Sequence, residues 1–390
     1  MTDAEQVLLT LLAESLFGVP GTYPADVSWD EVFLEAKNQA VAGLISDSLS
    51  HERMPELTTA RYQIVANGVQ LLHAQKKLVA LLAKEGIPSS ILKGTAAAIY
   101  YPQPFYRTMG DIDIIVPRKR FSQAKDLMEQ SGYIVVDAED DPQARHIGFS
   151  KNGIVYELHH HFSYGEHYID EYNGNPCIDK YIDEGLEHVV EAEINGVKFP
   201  LLPRLQNGLV LLDHMRAHLR NGLGLRQVVD WMMYVDRELG DNEWASGFGQ
   251  MAADTDLDAL AVTATRMCQM YLGLRSDITW CQVADESLCQ RLMGIILTSG
   301  NFGRKLGSGG AVESVFTSIK RNGLFRWLQH AGEHNWRAYK RHKWLKPFCW
   351  AYQLGRYACR GIAARRGNNL GDDMDRSRER YAVLTELNIT

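Results

Sequence analysis

Residues 4 to 17 place apolar side chains at three- and four-residue intervals, the period of an amphipathic helix, and residues 30 to 50 do the same. A longer helix is predicted over 56 to 85, where the period holds until Gly86 stops it. From residue 87 the pattern shortens. IPSSILKG (87 to 94) reads as a short strand ending at a glycine, and TAAAIYYP as a short helix closed by Pro102. DIDIIVP is a strand ended by Pro117, and RKRFSQAKDLMEQSGY a helix with Phe121, Ala124, Leu127 and Met128 on one side. YIVVD is a further strand. HIGFSKNGIVYELHHHF predicts a hairpin turning at Lys151, Asn152 and Gly153, and INGVKFPLLP (194 to 203) another strand or hairpin arm. After Pro203 the helical period returns in NGLVLLDHMRAHLRNG, in GLRQVVDWMMYVDRELG and through most of 243 to 298. GSGG (307 to 310) reads as a flexible joint, and the polar start of the last stretch as loosely held. The chain is therefore expected to be α+β, with an N-terminal helical region (1–86), a mixed-sheet core (87–203), a helical domain (204–300) and a basic, aromatic C-terminal helical region (301–390).

Composition narrows the class without naming it. A chain of 390 residues exceeds one comfortable core, so two or three domains are expected. With 45% hydrophobic and 23% charged residues and a net charge of −7, the whole-chain balance demands neither a nucleic-acid nor a membrane partner. The N-terminus has no basic lead before an apolar block, and no run of about 18 apolar residues occurs, so neither a signal peptide nor a transmembrane helix is expected. The six cysteines follow no zinc or CxxC spacing, which favours reduced thiols in a cytoplasmic protein.

The stretch RTMGDIDIIVP (107 to 117) does not fit an ordinary buried strand. Asp111 and Asp113 stand one residue apart in an apolar run, so a strand presents both on one face. Two close carboxylates repel unless a proton or a cation bridges them, and hard oxygen donors of this kind suit Mg²⁺ or Mn²⁺. A lone DxD triplet is weak evidence, because solvated strand ends carry it by chance. Three neighbours strengthen it: Gly110, which allows close approach of backbone or ligand; KGT (93 to 95), between a strand and a helix start, where backbone N–H groups can hold phosphate; and Glu157 in YELHH, a third carboxylate on a later strand.

On these residues, LKGTAAAIYYPQPFYRTMGDIDIIV followed by VYELHHHF resembles the nucleotidyltransferases of the DNA polymerase beta superfamily. More closely it resembles a largely uncharacterised bacterial group with Lys-Gly, Arg-x-x-Gly-Asp-x-Asp and Glu-Leu-His motifs. The resemblance runs from roughly residue 85 to 240 and implies a mixed-sheet nucleotidyltransferase core. It makes Gly94 and Thr95 the phosphate-binding pair, with Thr where Ser or Gly is usual. Asp111 and Asp113 become the metal-binding pair and Glu157 the third carboxylate, a Glu where Asp is common. The implied chemistry is attack of an acceptor hydroxyl on the α-phosphate of an NTP, with two Mg²⁺ or Mn²⁺ ions and loss of pyrophosphate. Lys93 and Arg107 are the nearest cations for the triphosphate; surface ion pairing is the equal alternative for each.

Other features carry less. Consecutive strand residues alternate faces, so His159, His160 and His161 cannot readily share one ion with His167, and a zinc site is not expected. His159 lies on the face of Glu157 and is a candidate to orient it; His160 and His161 read as structural. His214 and His218 share one helix face, but HMRAH lacks a metalloprotease glutamate. Arg226 and Asp230 sit four apart, as an intrahelical ion pair or as part of a helical domain closing over the nucleotide or acceptor. From Arg304 to Arg366, Arg304, Lys305, Lys320, Arg321, Arg360 and Arg365 are among many cations set against only Glu313 and Glu333. Trp327, Trp336, Trp344 and Trp350 are interleaved with them. Such a region can bind nucleic acid, an anionic acceptor or a membrane surface, but helices packed on the acidic remainder with buried Trp residues are favoured. Two further functional readings stay open: a toxin-like nucleotidyltransferase acting on tRNA or protein, and a non-catalytic nucleotide-binding scaffold.

Overall fold

The computed structural model describes residues 1–45, 55–137, 145–163, 175–219, 222–305, 323–364 and 370–389. The GSGG joint, His167, Glu313, Lys320, Arg321, Arg365 and Arg366 lie outside the described residues, as does the side chain of Arg360.

Seven strands form one mixed sheet in the order β3-β4-β5-β2-β1-β7-β6. They are β1 (Ser90–Leu92), β2 (Ile112–Ile115), β3 (Ile134–Asp137), β4 (His146–Lys151), β5 (Ile154–His159), β6 (Val190–Ile194) and β7 (Val197–Leu201). The β4–β5 and β6–β7 hairpins turn on Asn-Gly. Asn152 and Gly153 have φ of 54° and 77°, and Asn195 and Gly196 have 49° and 76°, the double left-handed geometry that favours this pair. The centre of the sheet is β1–β2–β5, where β1 runs antiparallel to β2 and β2 parallel to β5. With this topology the protein is α+β, as the sequence pattern predicts.

Helices cover both the sheet and one another. α1 (Asp3–Phe17) starts in a capping box between Thr2 and Glu5, and α2 spans Trp29–Asn38. The predicted continuation of α2 to residue 50 does not occur. Ala40 adopts φ 57°, a left-handed conformation that a helix interior cannot contain, and residues 46–50 lie outside those described. α3 (Pro55–Lys84) lays Leu71, Leu72, Leu78 and Leu82 against the sheet, and α5 (Phe121–Gln130) adds Ala124 and Met128. α4 (Gly94–Ala98) follows β1, and α6 (Pro176–Leu186) precedes β6. A separate apolar cluster joins α1 and α2 to α7 (Arg204–Leu219), α8 (Leu225–Glu238), the helices at Asp258–Tyr271 and Glu286–Ser299, and Val383 to Ile389 at the chain's end. α8 is buried on every side from Leu225 to Val235, as befits a central helix. In the basic C-terminal stretch, Trp327 is buried in a small cluster with Leu328 and Ala331, whereas Trp344 is 71% exposed. The expected burial of the Trp residues thus holds for the first and fails for Trp344. Among the described residues no helix is long and apolar enough to cross a membrane.

One buried amide couples these layers. Gln39, fully buried at the end of α2, donates from Nε2 to Glu35 at 2.8 Å and to the carbonyls of Ile296 and Leu297 at 3.4 Å. Its Oε1 accepts from the backbone N–H of Leu225 at 2.9 Å, and its main-chain oxygen from that of Arg226 at 3.3 Å. The first N–H groups of α8 have no partner within their own helix, so a residue from another helix satisfies them. Replacing Gln39 with Ala leaves the buried Leu225 N–H without an acceptor, and a loss of about 1–3 kcal/mol of unfolding free energy is expected. Denaturant midpoints at unchanged m-value check this; an unaltered midpoint would contradict it.

Candidate active site

The strand order brings the acidic residues together. In the β2–β5 pair, Asp113 stands directly beside Glu157, and Ile115 beside His159. Asp111 immediately precedes β2, so its side chain falls on the same face as that of Asp113. One carboxylate oxygen from each of Asp111, Asp113 and Glu157 lies within 4.8 Å of the others. Asp113 is buried, Glu157 half-buried and Asp111 exposed to solvent.

Charge crowding of this kind needs compensation. Lys93 Nζ donates to Asp113 Oδ1 at 2.7 Å, with both side chains buried. To place it there, Lys93 takes φ 49° at the β1–α4 junction, a region that lysine rarely adopts. His159 Nε2 lies 3.0 Å from Asp113 Oδ1 and 3.3 Å from Glu157 Oε2. Carboxylates only accept, so Nε2 carries the hydrogen that bridges them. Burial alone would raise the pKa of Asp113, but Lys93 and the hydrogen bond from His159 hold it well below the usual carboxylate range. Glu157 is shifted the same way: burial opposes its ionisation, but the His159 hydrogen bond and the nearby positive charge of Lys93 act together against it and hold its pKa below the usual value. Asp111 has no such hydrogen bond among the described residues, and the Lys93 and Arg226 charges act on it only from a distance. The Asp113 charge, then burial, push it up to about 6.

A second ring of charge fixes the loop that carries Gly110 and Asp111. Arg107, 2% exposed, donates from Nε and Nη2 to the two carboxylate oxygens of Asp230, each at 2.6 Å, and Tyr101 adds its hydroxyl to Oδ1 at 2.6 Å. Burial alone would weaken the Arg107 charge; Asp230 reverses this and holds its pKa above the usual value. Arg107 is therefore not a surface ion pair: it is buried against Asp230 while also lining the cavity of the three carboxylates, and Asp230 is taken by Arg107 across the fold instead of pairing within its helix. Arg226 donates to the Thr108 carbonyl at 3.3 Å, and Asn67 from α3 to the Met109 carbonyl at 2.8 Å.

These groups line a cavity of about 220 Å³ together with Gly94, Gly110, Arg145, His214, His218 and Phe302. Gly94 reaches the cavity with φ 32°, whereas the Thr95 hydroxyl is buried and donates to Gln75 on α3 at 2.6 Å. Any part Thr95 plays toward phosphate falls to its backbone N–H. His214 and His218 face each other, Nε2 to Nε2, at 2.9 Å. Burial lowers the pKa of His214 well below its ordinary value and that of His218 to about 3, so both are neutral at pH 7. His161 is bonded instead to Asp179, at 3.3 Å, and the His160 ring packs on Phe121.

The sequence pattern did not single out His146, Arg145 or Phe302. His146 stands opposite His159 in the β4–β5 register, its Nε2 3.7 Å from Glu157 Oε1, and burial pushes its pKa down to about 4. The signal for it was present: counting back from the Asn152-Gly153 turn pairs the two histidines. His146, Glu157 and His159 form a second group with ligand atoms within 4.8 Å of one another, sharing Glu157 with the carboxylates.

Against known proteins, the chain finds no match among the functionally curated ones. The crystal structure of an antigenic nucleotidyltransferase-like protein from Paracoccidioides brasiliensis is similar at 16% identity over 54% of this chain and 94% of that chain, with a TM-score of 0.33. A family model described as "Uncharacterised nucleotidyltransferase" matches residues 25–273, which takes in the whole sheet and the helices from α2 to α8. With that match extending over more than half of its residues, the chain belongs to this family of uncharacterised nucleotidyltransferases.

Proposed function

We propose that the protein transfers a nucleoside monophosphate from an NTP to a hydroxyl-bearing acceptor, releasing pyrophosphate, with Mg²⁺ or Mn²⁺ as the metal. The observation that carries this reading is the meeting of three carboxylates, oxygens within 4.8 Å, in a cavity also lined by Lys93, Arg145 and Arg226. The donor set fits the ions, because clustered carboxylate oxygens are the ligands that hard divalent cations take. Asp111, Asp113 and Glu157 would hold them. Bound there, a pair of ions supplies neutralisation of the triphosphate charge and a lower pKa for the acceptor hydroxyl.

The chain's own residues supply position and field. Lys93 keeps Asp113 ionised, and His159 holds the Glu157 carboxylate in place. Arg226, its Nε without a hydrogen-bond partner among the described residues, lines the cavity as a donor for phosphate oxygens. As the acceptor oxygen bonds to the α-phosphorus, the bond from that phosphorus to the bridging oxygen breaks and its electron pair leaves with pyrophosphate. Glu157, ionised at neutral pH, is the candidate to take the hydroxyl proton. Most of the rate enhancement then comes from alignment and charge compensation that the fold sets in advance. An NTP substrate, and cysteines kept as thiols at positions 177, 268, 281, 289 and 349, fit a cytoplasmic setting.

Calorimetric titration of the four NTPs tests the site. Binding of one or more is expected with Mg²⁺, lost with EDTA and lost in Asp111→Ala/Asp113→Ala. Metal-independent binding would contradict the reading, and NTP binding without pyrophosphate release in the presence of any acceptor would favour a scaffold. A pH profile tests the ligand set. Because Asp111 is pushed up to about 6, a proton competes with the ion below that pH. Mg²⁺ affinity is expected to fall as pH drops through about 6, and Asp111→Asn to lose both affinity and this dependence. A flat profile for the wild type would exclude Asp111 as a ligand.

A further inference from the structure

A second cavity, about 470 Å³, adjoins the acidic one, and the two share Gly110, Arg226 and Phe302. Sites for small organic ligands run from about 300 Å³ upward, so the acidic cavity of about 220 Å³ suits ions and phosphates, and its neighbour the bulkier remainder of a ligand. Phe302 stands at the junction. It is 57% exposed, an unusual setting for a phenylalanine, and its backbone is left-handed at φ 56° and ψ 32°. Such an outlier persists only where its surroundings impose it.

Those surroundings are visible. The Phe302 N–H donates to the Gly222 carbonyl at 3.0 Å. A Cβ on Gly222 would fall 2.1 Å from the Gly303 nitrogen, and one on Gly224 2.6 Å from Asn301 Cα, so the loop seats closely on glycines that lead into α8. The ring is held edge-on by His218 at 4.8 Å, with the Arg226 guanidinium 5.5 Å from its centroid. Beside it Asn301 is 2% exposed, lines the second cavity and has no hydrogen-bond partner for Oδ1 among the described residues. A buried polar atom of this kind awaits a partner. Both residues lie beyond the stretch matched by the family model, 25–273.

We infer that Phe302 is the stacking platform for the nucleobase of the NTP, with the Asn301 amide meeting the base's hydrogen-bonding edge in the second cavity. The inference rests on the nucleotidyl-transfer reading, which puts the triphosphate among the carboxylates next door. Arg226, common to both cavities, then lies where phosphate passes into nucleoside. Aromatic stacking tolerates any base, and an amide can both donate to and accept from a base edge.

Inorganic tripolyphosphate separates the two halves of the ligand. Calorimetry with Mg²⁺ would compare tripolyphosphate with each of the four NTPs on wild type, Phe302→Ala and Phe302→Tyr. At least one NTP is expected to bind wild type about tenfold or more tighter than tripolyphosphate. Phe302→Ala should remove most of that advantage while tripolyphosphate still binds, which also shows that the variant is folded; Phe302→Tyr should keep it. Equal affinities of wild type for tripolyphosphate and every NTP would overturn the inference and give the second cavity to the acceptor, as would an NTP affinity unaltered in Phe302→Ala. If wild type binds neither tripolyphosphate nor any NTP, the triphosphate reading itself fails and this inference falls with it.

Discussion

The site is organised around electrostatic repulsion that the sheet register makes unavoidable. Parallel pairing of β2 with β5 sets Asp113 directly beside Glu157, and strand alternation adds Asp111 to the same face. Three carboxylates within 4.8 Å cannot all be ionised without positive charge or donated hydrogens nearby. Lys93, in a backbone conformation that lysine rarely takes, and His159, wholly buried, answer the demand at Asp113 and Glu157. At Asp111 the Asp113 charge and burial outweigh the pull of Lys93 and Arg226, which is why its pKa moves opposite to those of its neighbours.

The helices make this arrangement rigid. The bidentate Arg107–Asp230 pair ties the loop ahead of β2 to the central helix α8, with Tyr101 as a third partner. Removing one member of a buried pair strands the other's charge, a loss of about 3–5 kcal/mol in comparable cases, so the loop and α8 hold position together. Asn67 fixes the same loop from α3, and Gln39 satisfies the start of α8 from α2. Helices that precede the sheet in sequence and helices that follow it thus converge on Gly110, Asp111 and Arg226. The N-terminal region is part of the site's scaffolding and not an appendage.

What could be read from sequence divides along the range of the interactions. Strand alternation places Asp111 and Asp113 on one face, and Asn-Gly marks the β4–β5 and β6–β7 turns; these are local properties. The β4–β5 register was also implicit in its turn, though His146 was not drawn from it. Pairing of β2 with β5 is nonlocal: Glu157 stands out in the sequence as a further carboxylate on a later strand, and the family resemblance supports it, but no local pattern fixes its register beside Asp113. The i,i+4 spacing of Arg226 and Asp230 suggested a pair within one helix, but a planar guanidinium with matched bidentate geometry, far away in sequence, outcompetes it. The helix start at Gly94 and Thr95 is local too, whereas the partner of the Thr95 hydroxyl, Gln75 on α3, is set only by the fold. The period of α2 ran on towards residue 50 while the backbone left the helix at Ala40. Phe302 had no signal beyond flanking glycines, since its exposure and its place between two cavities arise from chain segments that meet only in the fold.

The central claim is that Asp111, Asp113 and Glu157 together hold divalent metal against a nucleoside triphosphate. Anomalous diffraction from crystals grown with Mn²⁺ and a non-hydrolysable NTP analogue addresses it most directly. Anomalous density about 2.1 Å from oxygens of all three carboxylates, with triphosphate oxygens completing the shell, is the predicted result. Density held by His146 and His159 with Asp111 left out, or none in the carboxylate cavity, would contradict it.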